Sequence, residues 1–106
     1  MPKFLVQASY TAEGAKGVLK DGGSARRAAI EKMIKAVGGK VEAFYFAFGS
    51  DDVIIIGEVP DNATAAALSL TAAATGTSRS RTTILITPEE VDQASKKSVD
   101  FRKPGA

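Results

Sequence analysis

Side chains along 3-KFLVQASY-10 alternate. Phe4, Val6, Ala8 and Tyr10 take one side, and Leu5, Gln7 and Ser9 the other, which predicts a strand. The stretch 11-TAEGAKGVLKDGG-23 holds four glycines and follows neither the helical nor the strand period. It predicts a long loop with one helical turn around Ala15 to Leu19, and a loop of that length in a small domain points to function. Residues 24-SARRAAIEKMIKAVGG-39 repeat apolar positions at Ile30, Met33, Ile34 and Val37, the stripe of a helix. Ser24 is its expected cap, and Gly38 and Gly39 its stop. Two strands follow, 40–48 and 52–59, joined by a tight turn at Gly49 to Asp51 and ended by Pro60. Residues 61–76 form an alanine-rich helix, capped by Asp61 or Asn62 and closed by Gly76. A fourth strand spans 80–86. The stretch 87-TPEE-90 is a capping box that starts a third helix running to Lys97. From Ser98 the tail reads as extended and polar.

The order β-α-β-β-α-β with an extra C-terminal helix predicts an α+β, ferredoxin-like fold over residues 1–106 as one domain. It carries a four-stranded antiparallel sheet with two helices on one face. Pairing residue 44 with 56 in the central hairpin groups Phe44, Phe46, Phe48, Ile54 and Ile56 on one face. Val41, Ala43, Tyr45, Ala47, Val53, Ile55 and Val59 then share the other. Both faces are apolar, and two helices cover one. Five large side chains left wet would forgo on the order of 8–15 kcal/mol, at ~1.5–3 each, which rivals the stability of a small domain. A second copy of the chain, packed face to face across a twofold axis, is the expected cover. The runner-up cover is the C-terminal helix with its tail, through Val91, Ala94, Val99 and Phe101.

Composition narrows the chemistry. The 106 residues include no cysteine and no histidine. A disulfide framework, an Fe–S cluster, a thiol nucleophile, His-ligated haem or zinc and a Ser-His-Asp triad all fail for want of residues. No cofactor and no metal is implied. The net charge of +2 argues against a nucleic-acid binder. The longest aliphatic run, Val53 to Ile56, is too short to span a membrane, and no leader peptide is evident. A cytoplasmic protein is the expectation.

The segments 7-QASYTAEGAKG-17, 22-GGSARRAAIEK-32, 38-GGKVEAFYFAFGSDD-52, 59-VPDNATAAALSL-70 and 84-ILITPEEVDQA-94 together resemble the GYD family, nearly end to end. The resemblance implies a ferredoxin-like fold that pairs as a dimeric α/β barrel. Related barrels include cofactor-free monooxygenases, haem-handling enzymes and ligand-sensing domains of transcription regulators, and fold does not choose among them. The family's Gly-Tyr-Asp turn reads Gly49-Ser50-Asp51-Asp52 here. Gly49 and Asp52 match, and the tyrosine position holds Asp51.

The candidate ligand-binding residues are Tyr10, Glu13, Arg26, Tyr45, Asp52, Glu58 and Arg81. The 44–56 pairing sets Glu42 opposite Glu58, either a proton-moving carboxylate pair or two wet side chains paired with lysines. Arg79 and Arg81 alternate on one face, either to grip a carboxylate or to charge an edge strand. Tyr10 and Tyr45 either orient a ligand in a cavity or pack in the core. Arg26 and Arg27 oppose the dipole of their helix, which a bound anion or pairing with Glu13 or Asp21 would offset. Two functions fit: a homo-oligomeric module binding a small organic ligand, or a cofactor-independent monooxygenase or isomerase using Tyr10, Glu58 and an arginine. A cavity that converges Tyr10 with a carboxylate would favour the second.

Overall fold

The computed structural model describes all 106 residues. The elements are β1 (Lys3–Tyr10), α1 (Ala12–Asp21), α2 (Gly23–Ala36), β2 (Lys40–Phe46), β3 (Val53–Glu58), α3 (Asn62–Ala74), β4 (Ser78–Leu85) and α4 (Pro88–Ser95). The strands form one antiparallel sheet in the order β2-β3-β1-β4. This is the ferredoxin-like α+β plan expected from the sequence. The core lies between one sheet face and the helices. Phe4, Ile34 and Val59 form one cluster with Ile30, Met33 and Leu68 packed against it. Ala8, Val53 and Ile55 form a second with Phe44 and Phe46.

The glycine-rich stretch after β1 is a ten-residue helix, not a loop. Thr11 caps it, its hydroxyl accepting from the Gly14 N–H. Gly14 serves close packing: a Cβ there would overlap the Thr77 carbonyl oxygen. Gly22, at φ 84°, both ends α1 and begins α2, so Ser24 is not the cap.

The hairpin register is one residue from the expected one. The Ala47 N–H donates to the Asp52 carbonyl at 2.9 Å and closes the loop 48–51, with Phe48 at φ 52°. Phe46 therefore pairs with Val53 and Phe44 with Ile55. A bulge between Val41 and Ala43 keeps Val41 on the same side. A one-residue slip exchanges faces, and this register gathers Phe44, Phe46, Val53 and Ile55 under the helices. The opposite face then holds Leu5, Ala43, Tyr45, Ile54, Ile56 and Leu85 by register. Phe48 stays in the loop, 70% exposed, stacked on Phe46 at 5.8 Å.

No element of the chain covers that open face. Every residue from Ile86 to Ala106 is exposed, so α4 and the tail do not supply the alternative cover. The radius of gyration is 16.9 Å, against about 13 Å for a compact chain of this length. The accessible surface is 7632 Å², against about 5,600 Å² for a folded monomer of this mass. Seven of the 106 residues are buried. No helix is long and apolar enough to cross a membrane.

Candidate functional site

The helix layer is thick on one side and thin on the other. Over β2, α2 brings Ile30 and Ile34 down onto the sheet, and large rings fill the gap. Over β4, α3 offers Ala65, Leu68, Ser69 and Ala72, one helical stripe of mostly small side chains. The facing strand offers Ser78, Ser80 and Thr82 at alternate positions. Small residues on both walls do not span the helix–sheet gap, and a cavity of about 460 Å³ remains. That lies within the usual range for small-molecule sites, about 300–1,000 Å³.

The cavity follows the strands. One end has Phe4, Val59 and Glu58; the other has Tyr10, Thr77 and Ser78. Val6, Val53 and Ile55 floor the middle. Arg26 lines it from the first turn of α2. That turn lies at the Tyr10 end, because Gly23 packs on the Phe46 ring, Phe46 pairs with Val53, and Val53 pairs with Ala8.

Of the sequence candidates, the cavity thus unites Tyr10 and Arg26; Glu58 borders its far end, but by register its side chain shares the open face with Ile54 and Ile56. Glu58 lies opposite Lys3 and Lys40, about 23 Å of strand from the Tyr10 position. Its carboxylate meets Lys40 Nζ at 3.4 Å and Lys3 Nζ at 4.0 Å. Glu42 is drawn to Lys3 at 2.8 Å rather than set opposite Glu58. Of the two readings of Glu42 and Glu58, the structure has the second: side chains paired with lysines at the sheet end. The hydrogen bond to Glu42 chiefly holds the Lys3 ammonium above its ordinary pKa of 10.5, with the Glu42 and Glu58 charges adding.

Asp52 is structural: its Oδ2 accepts the Tyr10 N–H at 2.8 Å and its own N–H donates to the Ala8 carbonyl, tying the hairpin turn to the end of β1. Tyr45 stands on the open face, 69% exposed. Arg81 is also there, its Nη2 on Asp51 Oδ2 at 2.6 Å, with Gln7 donating to the same oxygen. Glu13 is exposed on α1, outside the cavity. Sequence reasoning missed Ser78, Ser80, Thr82 and Ala72. The legible signal was a hydroxyl at every second position of a strand, in a chain whose second long helix is about half alanine.

A family model described as GYD domain matches residues 4–95. The match takes in most of the chain, from β1 to the end of α4, and the chain belongs to that family. No curated protein and no solved structure matches it.

Proposed function

For this member of the GYD domain family we propose a self-associating module that binds a small organic ligand between the sheet and α3. The cavity carries the reading. It is floored by apolar side chains, and most of its polar groups collect toward the Tyr10 end, the division of labour of a binding pocket.

Self-association follows from surface. The chain exposes about 2,000 Å² more than expected for its mass, comparable to what a stable protein interface removes. The open sheet face contributes Leu5, Ile54, Ile56 and Leu85, each half-covered already. Burying the remainder would contribute on the order of 3–6 kcal/mol per protomer. The same face carries Lys3, Lys40 and Glu58 near one end and the Arg81–Asp51 pair near the other. A face with both charge signs can meet its own copy across a twofold axis, so a second copy is the occupant.

An acid–base reaction finds less support. Tyr10 and Glu58, the proposed proton carriers, lie at opposite ends of the sheet and on opposite faces by register, and Glu58 is already paired with lysines.

The test uses N-phenyl-1-naphthylamine, an uncharged dye that brightens in apolar surroundings. The protein should bind it with one saturable site per chain. Ala72→Trp, which places an indole in the cavity, should remove that site and leave the far-UV spectrum intact. No saturable binding, or binding indifferent to Ala72→Trp, would overturn the proposal.

A further inference from the structure

Arg26 is half-buried, the one cationic side chain on the cavity wall, and makes no ion pair and no side-chain hydrogen bond. Its neighbour Arg27 is paired with Glu31 at 3.3 Å, and Arg81 with Asp51. Glu58, the one acidic residue bordering the cavity, is at the far end, with its carboxylate on the open face against its own lysines. A guanidinium beside an apolar cavity has lost part of its hydration and gained no counter-charge in exchange. An anion delivered by a ligand would restore the balance, and a guanidinium grips a carboxylate or sulfonate through paired N–H donors. At the same end of the cavity, the Tyr10 hydroxyl and those of Ser78 and Ser80 are in the lining without a hydrogen-bond partner in the protein. Away from that end the lining is mostly apolar, with Phe4, Val6, Ile34, Val53, Ile55 and Leu68, and the mid-length hydroxyls of Ser69 and Thr82 are hydrogen-bonded to each other.

Resting on the cavity reading, we propose that the ligand is an amphipathic organic monoanion. Its acid group sits on Arg26 and the neighbouring hydroxyls, and its apolar body lies along β1 toward Phe4. The strand from Tyr10 back to Phe4 is about 20 Å long, so an extended chain or fused ring system suits it. One cation suits one negative charge, which sets nucleotides and polyphosphates aside.

A matched pair of dyes tests this. Anilinonaphthalene sulfonate is N-phenyl-1-naphthylamine with a sulfonate added, so the two share an apolar body and differ in the anion. The protein should bind the sulfonate about tenfold tighter, the worth of a charge-assisted hydrogen bond in a partly dry site. Arg26→Gln should erase that advantage and leave the uncharged dye unchanged, and Arg26→Lys should keep part of it. Arg79→Gln, an exposed arginine outside the cavity, should change neither. Dodecanoate or 1-naphthoate should displace the sulfonate where the matching alcohols do not. Which acid displaces it better distinguishes a chain from a ring system as the native body. Equal binding of both dyes, or an advantage that survives Arg26→Gln, overturns the anion proposal while the cavity stands. Failure of both dyes overturns the cavity reading and this proposal together.

Discussion

The substitution Gly→Ala should have opposite signs at two positions three residues apart in α1. At Gly14, N-terminal α1 lies on the turn that follows α3. The Thr11 N–H donates to the Thr77 carbonyl at 3.0 Å, the Thr11 hydroxyl to the Gly76 carbonyl at 2.9 Å, and Tyr10 Cδ1 lies 3.1 Å from where a Cβ would go. A methyl group at residue 14 would overlap the Thr77 carbonyl, a backbone atom with no rotamer to yield. The helix must lift. Overpacking of this kind costs roughly 2 kcal/mol, and two strained hydrogen bonds cost about 1 kcal/mol each. Alanine returns about 1 kcal/mol in helix propensity. The net is a destabilisation of about 3 kcal/mol. At Gly17 a methyl group would meet nothing within 4 Å. The propensity gain therefore stands alone, and Gly17→Ala should stabilise by about 0.5–1 kcal/mol. Urea unfolding followed by circular dichroism, at one fixed protein concentration because self-association would shift the midpoint, separates these values easily. Two changes of the same sign would refute the packing of α1 on Thr77. Because Tyr10 and Thr77 both line the cavity, Gly14→Ala should also weaken dye binding, and Gly17→Ala should not.

On the open face, Ile54→Lys places a charge where the second copy is proposed to pack, and should convert the assembly to a monomer by sedimentation velocity. An unchanged assembly would remove that face from the interface. At the start of α3, the Asp61 carboxylate accepts from the Thr64 hydroxyl at 2.7 Å and the Thr64 N–H at 2.8 Å, which hold its pKa below the ordinary 3.8. A carboxyl depressed by folding adds stability that is present above 3.8 and lost as the pH falls through the folded value. Asp61→Asn should therefore lower the melting temperature at neutral pH, and its gap from the parent should close in acid. A gap that is constant with pH would show that the charge contributes nothing.

Element type was legible where one period ran long enough. The stripe Ile30, Met33, Ile34 gave α2, and alternation from Phe4 to Tyr10 gave β1. The Thr87–Glu90 capping box gave the start of α4, and both of its reciprocal hydrogen bonds are present. The helix at 12–21 was hidden because two of its glycines read as breakers. Gly14 is required by a backbone 63 positions away in sequence, a tertiary demand that no local pattern carries. Register was hidden for a related reason. In 44-FYFAFGSDDVIIIGE-58 both parities are apolar, so hydrophobicity cannot choose between pairings one step apart. The choice fell to loop closure, the Ala47–Asp52 hydrogen bond and a left-handed Phe48, with Asp52 anchored to the Tyr10 N–H.

That one-step difference changes the chemistry as well as the packing. In the expected register Glu42 faces Glu58, and a carboxylate pair invites a proton-transfer mechanism. In the observed one Lys40 faces Glu58, Lys3 takes Glu42, and the acids become ends of ion pairs. The phenylalanines move from the open face to the helix face, where they close the space beneath α2 and leave the space beneath alanine-rich α3 as the cavity. Tyr10 was readable as a hydroxyl at a strand end beside a glycine-rich stretch, and Arg26 as a cation in a first helical turn, where the dipole favours anions. Their meeting was not readable, since it depends on Gly23 lying against the Phe46 ring, 2.9 Å from where a Cβ would stand. A side chain at position 23 would overlap the Phe46 ring, so either the ring or the α2 start that carries Arg26 must shift. The proposed anion preference of the pocket is therefore tied to the hairpin register: whatever fixes Phe46 against Val53 also places the first turn of α2, which carries Arg26.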